Sequence, residues 1–278
     1  MNILITGING FLGRNLVDSF SNHNVYGFDI DEGKIEDVHV FASSHLADID
    51  IAFDMIIMCH AAVASGVYTP GTNVLYDVNV KLTESILKKF PESSIIYVST
   101  ASIYDSSSNI ITEKSKEKPS NNYSLSKLWG EHLVINSRRG AVLRLSSMFG
   151  KGMKENTLIP TYVRQALEAD EINVWGDGMR LQNYIHVTDA VRYIERIMCD
   201  FDNCEGKALL GVAPEEHTNK MVADMIASHC NVTIRSIHED HSMSLKYNNT
   251  WTTSLLKYNP SRDFKNQLID YIEWKKNA

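Results

Sequence analysis

Short runs of consecutive apolar residues alternate along this chain with segments whose apolar residues fall three or four apart. The runs at 3–6, 25–29, 38–41, 55–59, 95–99 and 141–147 have strand length and read as buried strands. Between them, 11–22, 73–90 and 122–138 carry helical spacing, as in Leu12/Leu16/Phe20 and Val78/Leu82/Ile86. Such alternation predicts an α/β protein with a parallel sheet covered on both faces. Residues 30–54 are poor in helical signal and read as loop, a short strand and one turn of helix. Beyond about 150 the pattern predicts a helix at 158–169, a strand at 172–175 and a turn at Gly176-Asp177-Gly178. A strand at 184–187 then leads into a helix capped by Thr188, and further helices follow near 218–229 and 263–275. No internal repeat or low-complexity linker divides the chain.

Composition narrows the class. With 278 residues, 44% of them hydrophobic, the chain can bury a sizeable core without disulfides or metals. Cys59, Cys199, Cys204 and Cys230 form no CxxC pair and no finger-like spacing with histidine, which predicts reduced thiols and no metal site. A formal charge of −7 speaks against nucleic acid as a partner. No apolar run approaches the roughly 18 residues of a membrane span, and the first residues lack the marks of a signal peptide. A soluble, cytoplasmic protein without a membrane partner is expected.

The strongest local signal is Gly7-Ile8-Asn9-Gly10-Phe11-Leu12-Gly13, placed between the first strand and the first helix. A pyrophosphate needs backbone N–H donors at a helix N-terminus with no side chain in the way, and glycines provide that approach. Asp29 ends the next strand, where a carboxylate would bind an adenosine ribose and repel a 2′-phosphate; NAD is therefore expected over NADP. Tyr123 and Lys127 lie four apart on one helical face, so the lysine cation could bring the phenol into working range. Thr100 ends the strand at 95–99, at the sheet edge where open α/β sheets bind ligands.

Together these motifs resemble the NAD-dependent epimerase/dehydratase family of extended short-chain dehydrogenase/reductases, over nearly the whole chain. The resemblance includes Cys59-His60-Ala61-Ala62 (the HxAA segment, where the backbone passes the cofactor), Asn79, Arg144–Gly150, Leu158-Ile159-Pro160 and Tyr184-Ile185-His186-Val187. It implies a Rossmann-type doubly wound parallel sheet at 1–150, with 182–203 returning to it. A smaller, interleaved substrate domain would comprise 151–181 and 204–278. It also implies a homodimer packed through 73–90 and 122–138. Thr100, Tyr123 and Lys127 match the catalytic set. Gly7, Gly10, Phe11, Leu12, Gly13, Asp29, His60, Ala61 and Ala62, with Tyr123 and Lys127, are expected at the cofactor, and Thr100, Ser147 and Arg180 at a nucleotide-linked sugar.

The chain departs from the family pattern at three places. Ala101 and Ser102 stand where dehydratases carry an Asp-Glu pair for water loss. Gln182 stands where an arginine usually grips the substrate phosphate, leaving Arg180, two residues earlier, to substitute. Ser147 replaces a usual asparagine. Three readings follow. The first is a nucleotide-sugar epimerase acting at C4 through a transient 4-keto sugar. The second is an NAD(P)H-dependent 4-keto-6-deoxysugar reductase, and the third a non-catalytic dinucleotide sensor. The charged run 113–118 is expected as a mobile loop near the site, with Glu113 available to close it.

Overall fold

A computed structural model describes residues 1–63, 69–105 and 110–277. The chain opens with β1 (Asn2–Thr6), α1 (Phe11–Ser19), β2 (Asn24–Asp29), β3 (Gly33–Ile35), β4 (Val38–Ala42) and β5 (Met55–Met58). A long helix follows in three parts: α2 (Thr72–Tyr76), a π-helical turn (Asp77–Lys81) and α3 (Leu82–Lys89). Next come β6 (Ser94–Thr100), α4 (Asn122–Ile135), β7 (Gly140–Leu145) and β8 (Ser147–Phe149). The remainder is α5 (Leu158–Glu168), β9 (Glu171–Trp175), β10 (Leu181–His186), α6 (Val187–Cys199), α7 (Phe201–Cys204), β11 (Ala208–Gly211) and β12 (Glu216–Thr218). It ends with α8 (Asn219–Cys230), β13 (Thr233–Ile237), α9 (Thr250–Leu256) and α10 (Phe264–Lys276).

The large sheet has the order β11-β7-β6-β5-β1-β2-β4-β3, parallel throughout except for the β3–β4 hairpin. Successive residues of a strand face opposite sides, and both sides are filled. Ile3, Ile5, Ile57, Ile96 and Leu143 pack with Leu12 and Leu16 of α1 and Ile194 and Ile197 of α6. Leu4, Ile56, Met58, Ile95 and Val142 pack with Ile86 of α3 and Val134 of α4. The continuous apolar runs in the sequence are what a sheet buried on both faces requires. The order reverses at β1, whose neighbours are β2 on one side and β5 on the other, so a crevice opens at the C-terminal ends of β1 and β5.

A second core lies between α5, β9, α8 and α10, around Ile159, Val163, Val174, Ile226 and Leu268. It is joined to the crevice by a small sheet, β12-β10-β8. Asn183 of β10 fixes that sheet to the large one: its Oδ1 accepts from Ser146 Oγ (2.7 Å) and Ala213 N (2.9 Å), and its Nδ2 donates to Ala213 O (2.9 Å).

Several expectations need correction. Residues 208–211, expected in the smaller domain, form the edge strand β11 beside β7, since a parallel partner there covers the backbone edge of β7. Of 182–203, α6 packs on the large sheet, whereas β10 pairs only with β8 and β12. The strand expected at 141–147 is broken after Leu145, and Ser147 begins a strand of the small sheet. Helix α6 is capped by His186, whose Nδ1 accepts from Thr188 N (3.4 Å), rather than by Thr188. The run 113–118 is not a free loop. Lys118 N and Asp105 N bond to Ile103 O and Lys116 O, and Glu113 Oε1 accepts from Thr252 N (3.1 Å) and Oγ1 (2.6 Å). Glu113 therefore anchors α9 and does not close the site. Among the described residues no helix is long and apolar enough to cross a membrane.

Candidate active site

A cleft of about 720 Å³ runs from the glycine loop, past Tyr123 and Lys127, to Ser147 and Arg180. One wall is the sheet edge and α4; the other is β8, the segment before α5, and β10. That volume lies in the usual range for small-molecule sites.

At the cofactor end, Gly7 adopts φ +69°, and a Cβ there would lie 2.7 Å from His60 Cα. A Cβ on Gly13 would lie 2.4 Å from Gly7 O. These glycines let α1 start directly against β1, with Gly10, Phe11 and Leu12 lining the cleft. No described side chain caps α1, so its first amides remain available to an anion. Asp29 accepts from Asn9 N and Ile30 N, both at 2.8 Å. It thereby ties the loop to β2 and keeps carboxylate lone pairs for ribose hydroxyls. The uncapped helix end and the Cβ-free cradle fit a dinucleotide pyrophosphate.

His60, expected at the cofactor, turns its ring inward. Its Nδ1 lies 2.6 Å from Thr6 Oγ1 and its Nε2 3.1 Å from Thr83 Oγ1. Burial and the nearby Lys127 charge hold its pKa down at about 3, so the ring is neutral. Ala61 lines the cleft, as expected. Ala62 instead exchanges backbone bonds with Asn79, whose Oδ1 accepts from Ala62 N (2.8 Å) while Nδ2 donates to Ala62 O (3.1 Å) and Ser126 Oγ (2.8 Å). Ser126 Oγ in turn donates to Tyr123 O (2.8 Å). Asn79 sits in the π-helical turn, a feature frequent at functional sites. The turn aims its amide at both the HxAA segment and α4.

The N-terminus of α4 is fixed by Asn121, whose Oδ1 accepts from Ser124 N (2.9 Å). Tyr123 and Lys127 therefore face the cleft one turn apart. The Thr100 hydroxyl works to lower the pKa of Tyr123, yet burial carries it up to about 12. Lys127, 2% exposed, is brought down to about 7 by burial, and its Nζ lies 4.0 Å from the centroid of the Tyr97 ring. The expected lowering of the phenol by the lysine is thus not present here. Desolvation drives both groups toward their neutral forms and outweighs it. Thr100 stands behind Tyr123, with its Oγ1 donating to Ser102 Oγ (3.0 Å). Ala101 and Ser102 form a short 3₁₀ turn without a carboxylate.

On the opposite wall, Ser147 pairs with Tyr184 across β8 and β10. Arg180 and Gln182 both line the cleft; Gln182 Nε2 is engaged by Asn219 Oδ1 (2.7 Å), whereas Arg180 Nε is buried without a partner. The Tyr184 hydroxyl, in a residue 5% exposed, is likewise unpaired. Sequence reasoning treated Tyr184 only as a motif position. Its hydroxyl, where the motif often has phenylalanine, was the available signal. Cys59, from the segment expected to pass the cofactor, lines the cleft; Met153 and Lys154 also line it and were not singled out. No pattern in the chain marks those two, because they arrive from a loop.

Comparison with known proteins decides the family. The family model for the NAD dependent epimerase/dehydratase family matches residues 3–210. The chain belongs to this family. It is similar to an uncharacterized UDP-glucose epimerase of Bacillus subtilis, 23% identical over 310 aligned positions that cover 99% of this chain and 98% of that protein. It is also similar to the GDP-6-deoxy-D-talose 4-dehydrogenase of Aggregatibacter actinomycetemcomitans, 28% identical, covering 71% of this chain and 70% of that one. In fold it matches the UDP-glucuronic acid 4-epimerase of Bacillus cereus, solved with UDP-glucuronic acid and NAD, with a TM-score of 0.86 at 19% identity. That match covers 100% of this chain and 99% of that one. The family's cofactor, NAD, is the one its glycine cradle and Asp29 fit.

Proposed function

We propose that this family member is an NAD-dependent nucleotide-sugar epimerase acting at C4. The observation that carries the reading is the single cleft joining the glycine cradle, Tyr123 with Lys127, and Arg180, whose buried Nε lacks a partner. NAD, when bound, would supply the hydride acceptor and donor that such an epimerisation requires. Tyr123 Oη, as the phenolate, takes the proton from the reacting hydroxyl and later gives it back. The Lys127 cation provides the positive charge that works against burial and favours that phenolate, and Thr100, beside Tyr123, holds the reacting oxygen. Arg180 binds the diphosphate, the anion its buried Nε lacks, while Ser147 faces the sugar. Ala101 and Ser102 leave no acid–base pair for loss of water, so the chemistry ends at redox and rotation of the keto intermediate.

A second reading, reduction of a 4-keto-6-deoxysugar, draws on the short β2–β4 connection, made by the β3 hairpin instead of a helix, and on the resemblance to the talose 4-dehydrogenase. The two readings separate when purified protein is denatured and the released dinucleotide identified by mass spectrometry. Near-stoichiometric NAD, with C4 epimer formed from a UDP-sugar and no added cofactor, supports the epimerase. An empty or NADP-loaded protein that turns over only with added reduced cofactor overturns it.

The working unit we assign is a homodimer in the cytoplasm. Val74, Tyr76, Leu125 and Trp129 are exposed on the paired α2 and α4, with the Tyr76 and Trp129 rings 5.7 Å apart. An apolar patch of this kind on a helix pair calls for a cover, and a second copy of the same pair provides one by two-fold symmetry. Trp129→Glu should convert a dimer into a monomer by light scattering. A wild-type monomer at micromolar concentration would exclude this assembly.

A further inference from the structure

The reaction assigned above leaves a buried ion pair beside the site without a use. Glu131 and Arg144 are 1% and 2% exposed, and one edge of the guanidinium faces the carboxylate: Arg144 Nε donates to Glu131 Oε1 (3.2 Å) and Oε2 (3.1 Å), and Nη2 to Oε2 (2.7 Å). The remaining guanidinium donors reach Tyr104 Oη (2.8 Å) and Glu117. A buried ion pair of this kind adds little net stability, because desolvating both ions offsets their attraction. Stability is therefore a weak explanation for its position, which is one helical turn beyond Lys127 on α4.

The surroundings of the Lys127 ammonium explain it better. Cys59 at the end of β5 carries a thiol that burial pushes up to about 12. His60, in the following segment, is neutral. Tyr97 on β6 offers a ring face, and its buried hydroxyl is raised well above the ordinary range. Tyr123, one turn earlier on α4, is a neutral phenol near pH 7. Against these, the Glu131 carboxylate, one turn further along α4, opposes the effect of burial on the lysine. Three hydrogen bonds from Arg144 hold the Glu131 carboxylate in place and stop it from swinging onto the lysine, so the charge acts at a fixed position.

We propose that Glu131, clamped by Arg144, is a positioning residue whose fixed negative charge keeps Lys127 protonated in the dry active site. The inference rests on the catalytic reading of Lys127 only for its purpose; the electrostatic claim itself can be tested without turnover. Full-length protein with ¹³C-labelled lysine, as purified and after removal of bound dinucleotide, is titrated by NMR, with Lys127→Arg identifying the resonance. In the dinucleotide-free protein the Lys127 midpoint is expected near 7. Glu131→Gln, which leaves Arg144 bonded to Glu117 and Tyr104, should lower the midpoint by about one unit or more. Glu131→Asp should restore most of that loss. In the unaltered protein the ¹³C-labelled Glu131 carboxyl resonance should shift at the same midpoint as Lys127, a measurement that stands even where Glu131→Gln fails to fold. A midpoint unmoved in Glu131→Gln, or a Glu131 resonance blind to the lysine titration, overturns the proposal. If Lys127 titrates as expected and no nucleotide sugar is turned over, the function falls and the electrostatic device stands.

Discussion

On the cleft wall built from β1, β5, β6 and α4, polar side chains are bonded mostly to one another. A chain of bonds runs from Thr6 through His60, Thr83 and Asn79 to Ser126; among the described residues on that side, the Ser99 and Tyr97 hydroxyls lack partners. On the wall built from β8 and β10, Arg180 Nε and the Tyr184 hydroxyl are buried with nothing to bond. A buried polar group without a partner costs about 1–3 kcal/mol, so the second wall stores a cost that a polar ligand would relieve. The first wall has the character of a finished scaffold for a constant cofactor. The second has the character of a surface completed by its substrate.

Substitutions can break or sharpen that contrast. The largest effect is expected at the chemistry between the walls: Tyr123→Phe should lower turnover by about 10²–10⁴-fold. Its melting temperature and dinucleotide affinity should stay near those of the parent. Unchanged turnover would remove the phenol from the mechanism.

On the finished wall, Asn79→Leu strands the N–H and C=O of Ala62. Urea unfolding should show a loss of about 1–3 kcal/mol for each group left without water or another partner. On the open wall, Arg180→Met should cost no stability and, by removing the unpartnered Nε, should raise it by up to about 1–3 kcal/mol. It should raise the KM for a nucleotide sugar by roughly 10–100-fold, as losing a charge-assisted bond implies. A large stability loss at Arg180, or none at Asn79, would dissolve the distinction.

The smallest effect concerns pH. His60 is held neutral at about 3 in the folded protein, below the ~6.5 of an unfolded histidine. As pH falls below ~6.5 the unfolded chain binds the proton first, so stability present above that pH is lost progressively toward 3. The slope is at most ~1.4 kcal/mol per pH unit. Stability curves for His60→Gln should be flatter than wild type between pH 6 and 4. Parallel curves would mean that other groups govern the acid limb.

Much of the fold was legible because the large sheet is built from local signals. Apolar runs such as 55–59 and 95–99 are strands buried on both faces, and Leu12/Leu16 and Val78/Leu82/Ile86 mark the helices over them. The smaller strands β11, β12 and β13 were missed. They are short, half of β13 is exposed, and each is held by a partner distant in sequence. At the site, glycine spacing and the Tyr123–Lys127 interval are local patterns and were readable. The inward turn of His60 and the anchoring of α9 by Glu113 depend on contacts 54 and 139 residues away.

By itself the sequence determined the α/β class, the glycine cradle at the first strand–helix turn, and the pair Tyr123 and Lys127 on one face of α4. Each follows from steric or periodic rules acting within a few residues. Only the tertiary structure decided the protonation preferences of that pair, the inward role of His60, and the unpaired state of Arg180 and Tyr184. Those properties depend on how much water and which charges surround a side chain, and elements far apart in the chain supply both.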